Sequence, residues 1–166
     1  MFLKQNNNYS CLAIASVNYV RWDYDQKGKR DWFPFLTYDK FCEIVGHDGS
    51  EEIYGDDHPQ RGFHVDDVLK YFNHLYKKSF FCGDAIKETL YYENGIIKDR
   101  KVFNKPFQEK IKDQNGILVV KVNEVYCHAY TKIEDQFVNP KTGRIQYSIP
   151  FQKQIFIGVE ESFGSA

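Results

Sequence analysis

The hydrophobic pattern of the chain changes its period near Gly116, and this change constrains the fold more than any other feature. Between His64 and Lys77, apolar side chains recur at the i, i+3, i+4 and i+7 positions of an amphipathic helix. After Gly116, short apolar runs typical of strands follow one another and are separated by turn-forming residues. Helices in the first half and strands in the second half predict an α+β fold, with the helices packed on a C-terminal antiparallel sheet.

The individual elements follow from the same patterns. The predicted helices are Ser10–Trp22, Thr37–Val45, His64–Lys77 and Pro106–Gly116. The predicted strands are Ile117–Val122, Cys127–Ile133, Gln136–Val138, Ile145–Ile149 and Ile155–Val159. Ser10 or Asn8 is expected to cap the first helix, and Gly46 is expected to end the second. The acidic stretch Gly46–Gly62 is interpreted as an exposed loop.

Length and composition favour one globular domain over residues 1–166. No apolar stretch approaches the roughly 20 residues of a membrane span, and the first residues do not resemble a secretory signal. We therefore expect a cytoplasmic or virion-associated protein with no membrane partner. The 22 basic and 23 acidic residues give a net charge of −1, so no basic stripe indicates a nucleic acid partner. The 28 aromatic residues are interpreted as core.

The four cysteines, Cys11, Cys42, Cys82 and Cys127, are widely scattered. Their spacing fits neither a disulfide framework nor a structural zinc site, so reduced thiols are expected. Two other groups contain possible metal ligands, Asp56-Asp57-His58 and His64 with Asp66 and Asp67. Carboxylates before or within the first turn of a helix are favourable without any metal, so we predict no metal and no cofactor.

Cys11 lies at the start of the first predicted helix, in the segment Gln5-Asn-Asn-Asn-Tyr-Ser-Cys11. The positive end of the helix dipole favours the thiolate, which is the nucleophilic form of cysteine. An isolated cysteine at such a place is more often a small buried residue. A histidine and an amide further along the chain favour the catalytic interpretation.

His128 lies on a predicted strand that is followed by a hairpin with Glu134-Asp135 at its tip. If these two residues form the turn, Tyr130 lies opposite Asn139, which places Asn139 one diagonal step from His128 on the same face. An acceptor there would hold the imidazole in one tautomer. Asp135 is the alternative orienting group, but it would lie roughly 17–20 Å from His128 at 3.3–3.4 Å per residue.

The order Gln5, Cys11, His128, Asn139, with Gln5 six residues before Cys11, resembles the papain-like cysteine peptidases. Within that superfamily the chain most resembles the bacteriocin-processing, double-glycine type. The shared segments are Gly62-Phe-His-Val-Asp-Asp-Val-Leu, Gly116-Ile-Leu-Val-Val, the His128 strand and Asn139-Pro140-Lys-Thr-Gly143. The double-glycine type usually has Asp-Cys-Gly where this chain has Ser10-Cys11-Leu12, and aspartate where this chain has Asn139. The spacing of eleven residues from His128 to Asn139 is also shorter than in papain or in the double-glycine type.

The resemblance implies a papain-like fold and a cysteine peptidase acting on a protein or peptide. It implies that Cys11 is the nucleophile, His128 the base, Asn139 the orienting group and Gln5 an oxyanion donor. An amidase, an isopeptidase or an acyl transferase would use the same chemistry. A papain-like module that binds without turnover, for example as part of a larger assembly such as a phage or virus particle, is the alternative outside enzymology.

Overall fold

The computed structural model describes residues 1–7, 9–48, 63–121, 127–149 and 154–159, and of Cys127 only the backbone. The α-helices are α1 (Cys11–Gln26), α2 (Tyr38–Val45), α3 (Val65–Leu75) and α4 (Phe107–Ile111), and a short 3₁₀ helix covers Arg30–Phe35. The strands are β1 (Lys78–Gly83), β2 (Glu88–Glu93), β3 (Ile96–Val102), β4 (Gly116–Lys121), β5 (Cys127–Ile133), β6 (Gln136–Asn139), β7 (Arg144–Gln146) and β8 (Gln154–Val159). Within the described part of the chain, no helix has the length and apolar character needed to cross a membrane.

The eight described strands form one antiparallel sheet in the order β3-β2-β1-β8-β4-β5-β6-β7. Side chains alternate between the two faces of a strand, and β4 shows this directly. Ile117 and Val119 join the core formed with α1, α2 and α3, whereas Leu118 and Val120 join a second core that includes Phe107 of α4. The protein is therefore an α+β structure with helices packed on an antiparallel sheet.

The ends of α2 and α3 follow local chemistry. Thr37 caps α2 by accepting a hydrogen bond from Lys40 N at 3.2 Å, and Gly46 ends α2 in the left-handed region at φ 75°. His64 caps α3, where its Nδ1 accepts from Asp66 N while Asp67 Oδ2 accepts from His64 N. These three residues thus make a capping box, which accounts for their spacing.

Two other expectations about local structure have different outcomes. Ser10 occupies the position before α1, but its side chain makes no capping hydrogen bond there. The stretch from Gly49 to Gly62 lies outside the described residues, and so does the Asp56-Asp57-His58 group within it.

The separation of helices and strands into two halves of the chain is wrong in one respect, because β1, β2 and β3 precede Gly116. All seven residues of β3 are exposed, so β3 has no apolar alternation by which to identify it. The turn between β2 and β3 did carry a signal. Asn94 and Gly95 have φ of 53° and 82°, and an Asn-Gly pair is a strong hairpin indicator.

Several boundaries also differ from the prediction. Helix α1 continues to Gln26 instead of ending at Trp22, and α4 is short. Gly116 does not end a helix but begins β4, where an added Cβ would lie 2.3 Å from Ile157 O on the neighbouring strand. Only glycine fits at that approach without a local shift.

Candidate active site

The hairpin formed by β5 and β6 brings His128 and Asn139 together. Its register pairs Ile133 with Gln136 and Thr131 with Val138, which confirms the predicted register. Glu134 takes the positive φ of 55° that a two-residue turn needs. His128 Nε2 lies 2.9 Å from Asn139 Oδ1, so the predicted diagonal contact is present.

The turn after Asn139 connects this pair to the start of the chain. Lys141 N donates to Asn139 Oδ1 at 3.0 Å, and Gly143 N donates to Asn139 O at 2.8 Å, with Gly143 at φ 70°. Pro140 O in the same turn accepts a hydrogen bond from Gln5 N at 2.7 Å. The turn therefore positions Gln5 and Asn139 through one short piece of backbone.

A buried asparagine on α1 holds the segment that leads to Gln5. Asn18 is fully buried, and its side-chain amide bonds both main-chain groups of Leu3, accepting from Leu3 N at 2.6 Å and donating to Leu3 O at 3.0 Å. Arg21 Nε adds a bond of 2.6 Å to Met1 O. These contacts align the first residues along α1, so Gln5 lies between α1 and the Asn139 turn.

Cys11 is the first residue of α1 and is half-buried. The first four N–H groups of a helix have no partner within it, so the thiol lies at the positive end of a helix of 16 residues. Helix α1 packs directly on the His128 strand, where the buried Thr131 Oγ1 donates to Ala15 O at 2.6 Å. Ala15 is one helical turn after Cys11. Ala129 and Thr131 face α1, whereas His128 alternates to the face of Tyr130, so this contact joins the helix to the strand and does not by itself place the His128 side chain against Cys11.

The surroundings of His128 favour its neutral form. The side chain is 8% exposed, and burial lowers the pKa of the imidazole, an effect that the nearby Lys141 reinforces and the Asn139 bond opposes. The ring of Tyr130 meets it edge-on with centroids 4.8 Å apart. A neutral imidazole at pH 7 can accept a proton from a thiol.

Gln5 is held in a specific orientation. Its Nε2 donates to Asn7 O at 2.5 Å, and its buried Oε1 has no hydrogen-bond partner among the described residues. Nε2 carries two hydrogens, so this contact engages one of them.

The other described cysteines differ from Cys11. Cys42 and Cys82 are buried thiols, and burial raises the pKa of both, that of Cys82 to about 12. Both are therefore protonated at pH 7. The side chain of Cys127 lies outside the described residues.

A cleft of about 480 Å³ borders the segment that links Gln5 to Cys11. Leu3 and Ile14 give it apolar walls, and Asn6, Asn7 and Ser10 contribute polar groups from the linking segment. The start of α2 at Thr37–Asp39 forms the opposite side. The residues that line it include the neighbours of Gln5 and Cys11 but none of the four candidate residues, so the cleft adjoins the linking segment and is not itself formed by the candidate site.

Sequence reasoning identified the four candidate residues but missed the side chains that hold them. Gln146 bonds the side chain of Asn139, Asn18 bonds the backbone of Leu3 two residues before Gln5, and neither belongs to a motif. Strand alternation across the Asn139 turn would have placed Gln146 beside Asn139.

Within the described ranges, no group of three or more His, Cys, Asp or Glu side chains could hold a metal ion. Comparison of the chain with protein-family models, with curated proteins and with solved structures found no match.

Proposed function

We propose that the chain is a thiol-dependent hydrolase of the papain-like type that cleaves peptide bonds. The observation that carries this proposal is the 2.9 Å contact between His128 Nε2 and Asn139 Oδ1, on a strand that packs against the helix beginning at Cys11. Thiol catalysis requires a thiol within reach of a histidine that is oriented at its other nitrogen. The orienting contact is observed, and the approach of Cys11 to His128 is part of the proposal.

In the proposed reaction, Cys11 Sγ attacks the substrate carbonyl carbon, and the thiol proton moves to His128 Nδ1. The carbonyl electron pair becomes an oxyanion, which collapses to a thioester as the carbon–nitrogen bond breaks. The leaving amine takes the proton from His128. Water then attacks the thioester, His128 accepts a proton from it and returns that proton to the departing sulfur, and a carboxylic acid is released.

The oxyanion donors in this proposal are the backbone N–H of Cys11 and the second Nε2 hydrogen of Gln5. Removing one such donor typically costs on the order of 10² to 10³ in rate. The hydrogen bond from Gln5 N to Pro140 O supports the assignment because it ties Gln5 to the turn that bears Asn139.

The substrate class within this proposal is a protein or peptide, bound in the cleft beside the Gln5–Cys11 segment. Amide, isopeptide and acyl-transfer substrates present the same carbonyl to the same groups. We also propose that the chain is of the double-glycine subtype and that it works in the cytoplasm or in a virion.

A second candidate function is a binding module without turnover. The contact of Gln5 Nε2 with Asn7 O favours it, because a main-chain acceptor already occupies one hydrogen of the oxyanion donor. Cleavage assays on the intact protein distinguish the two functions, since only the hydrolase turns over a substrate.

The deciding experiment is the rate of alkylation by iodoacetamide at pH 7, followed by peptide mass spectrometry. We expect Cys11 to react on the order of 10-fold or more faster than Cys42 and Cys82, which are buried and protonated. Cys42→Ala is the matched control and should leave the fast phase unchanged. Equal labelling of the three thiols, or labelling only after denaturation, would contradict the proposal. A fast Cys11 with no cleavage of a peptide library would favour the binding module.

A further inference from the structure

Gln146 lies beside Asn139 for reasons of strand register. In the β6–β7 hairpin, Asn139 pairs with Arg144 and Phe137 pairs with Gln146. Asn139 and Phe137 share a face because they are two residues apart, so Gln146 is the diagonal neighbour of Asn139 on that face. Gln146 is half-buried.

A directed chain of hydrogen bonds runs through these side chains. Asn139 Nδ2 donates to Gln146 Oε1 at 3.1 Å, and Gln146 Nε2 donates to Ser148 O at 2.9 Å. A main-chain carbonyl can only accept, so Ser148 fixes which end of the Gln146 amide faces it. Gln146 Oε1 then faces Asn139, and Asn139 donates to it from Nδ2.

The orientation of the Asn139 amide determines the proton position on His128. With Nδ2 directed to Gln146, Oδ1 faces His128 Nε2, and Lys141 N independently donates to the same Oδ1. An acceptor opposite Nε2 requires that Nε2 carry the proton. Nδ1 then has a lone pair with which to accept a proton.

We propose that Gln146 is a positioning residue that, together with Lys141 N, fixes the Asn139 amide and, through it, the Nε2–H tautomer of His128. The inference rests on the proposed function for its catalytic meaning, but the tautomer itself is a property of the folded protein.

The same chain of hydrogen bonds selects asparagine over aspartate at position 139. An aspartate would place a second acceptor oxygen against Gln146 Oε1. Gln146 would have to turn its amide over and give up the bond to Ser148 O.

The first test is ¹⁵N NMR of the His128 ring above its pKa, with the resonance assigned by its loss in His128→Ala. Gln146→Met removes the acceptor of Asn139 Nδ2 and leaves the Lys141 N bond as the remaining one that orients the amide, so the turned-over amide becomes more populated. We expect the two ring nitrogen resonances to move toward each other as the tautomers mix. Gln146→Glu keeps an acceptor and loses only the bond to Ser148, so it should restore the wild-type spectrum.

Arg144→Met is the matched control, because this exposed residue pairs with Asn139 through the backbone alone in the hairpin register. Its spectrum should match the wild type. An unchanged spectrum in Gln146→Met would overturn the proposal, and so would a spectrum that Gln146→Glu fails to restore. These spectra do not depend on turnover, so failure of the proposed hydrolase function would be seen separately, as absent cleavage and slow Cys11 alkylation.

A double-mutant cycle gives a second readout. Asn139→Asp should lower Tm more in the wild-type background than in the Gln146→Met background, since only the former opposes two acceptors. Equal shifts in the two backgrounds would overturn the proposed selection of asparagine.

Discussion

The two ends of strand β5 carry polar side chains on the same face, and they are held in opposite ways. His128 at one end is 8% exposed and Lys132 at the other is 4% exposed. His128 bonds the side-chain amide of Asn139, whereas Lys132 Nζ donates to three main-chain carbonyls, those of Lys112, Gln114 and Glu134, at 3.0, 2.7 and 2.9 Å. Burial alone therefore does not distinguish the residue with a proposed catalytic role from the structural one.

The contacts of Lys132 use every proton that its ammonium group has to give. They join the end of α4 to the tip of the β5–β6 hairpin, which Asn115 also holds by accepting from Glu134 N at 2.6 Å. Burial lowers the pKa of Lys132 to about 8, while Asp135 and Asp113 oppose that shift. The Lys132 end of β5 is therefore held by structural contacts.

The contact of His128 with Asn139 engages Nε2 of the imidazole, and Nδ1 is the nitrogen that accepts the thiol proton in the proposed function. The partner of Nε2 is a side chain, which is itself oriented by Lys141 N and Gln146. The comparison predicts that changes at the His128 end alter thiol reactivity, whereas changes at the Lys132 end alter stability.

The largest expected effect is that of His128→Ala, which removes the proposed base. Turnover should fall on the order of 10³-fold or more, and Cys11 alkylation at pH 7 should slow because the proposed acceptor of the thiol proton is gone. Both rates are measured on the folded variant, with circular dichroism as the control for structure. Fast alkylation of Cys11 in this variant would contradict the predicted link between the His128 end of β5 and thiol reactivity, because the position of Cys11 at the start of the helix would then be sufficient for that reactivity.

Lys132→Met should destabilise the protein by about 1–3 kcal/mol, because three carbonyls lose their donor together. Urea unfolding measures this, and Lys112→Met is the control, since that exposed lysine contributes only its main-chain oxygen to the cluster. Thiol alkylation in the folded variant should be unchanged. A variant as stable as the wild type would show that the Lys132 contacts do not hold this end of the strand.

The same variant isolates a pH dependence. Lys132 has a pKa of about 8 in the folded protein against its ordinary value of 10.5, so the unfolded chain binds the proton more tightly. The contribution of Lys132 to the free energy of unfolding should therefore rise as the pH increases from about 8 to 10.5. Subtracting the Lys132→Met profile from the wild-type profile removes the titration of buried tyrosines and cysteines. A flat difference profile over this range would contradict the lowered pKa.

The smallest expected effects are those of two variants that test the candidate orienting groups of the hairpin, which are the amide of Asn139 and the carboxylate of Asp135. Asn139→Ala should lower turnover about 10-fold, the equivalent of one hydrogen bond of about 1.4 kcal/mol, while Cys11 remains alkylated. Asp135→Ala should leave turnover unchanged, because Asp135 is exposed at the hairpin tip. The reverse result would assign the orienting role to Asp135 and contradict the proposed role of the His128–Asn139 contact.

Sequence alone determined the local parts of this protein. The register of the β5–β6 hairpin follows from a two-residue turn and strict alternation, so the sequence placed His128 beside Asn139. The limits of α2 and the presence of the strands after Gly116 follow from capping residues and apolar runs, although β7 covers Arg144–Gln146 where the sequence predicts Ile145–Ile149. These features depend on neighbours a few residues apart, which is why a linear pattern reports them.

Tertiary structure decided the rest. An exposed edge strand such as β3 is stabilised by pairing with β2, so its own side chains do not reveal it. The bonds from Asn18 to Leu3 and from Gln5 to Pro140 join residues whose meeting depends on how helices, strands and turns are packed. Side-chain amides have no sequence signature for their partners, because the same amide can donate or accept wherever the fold places it.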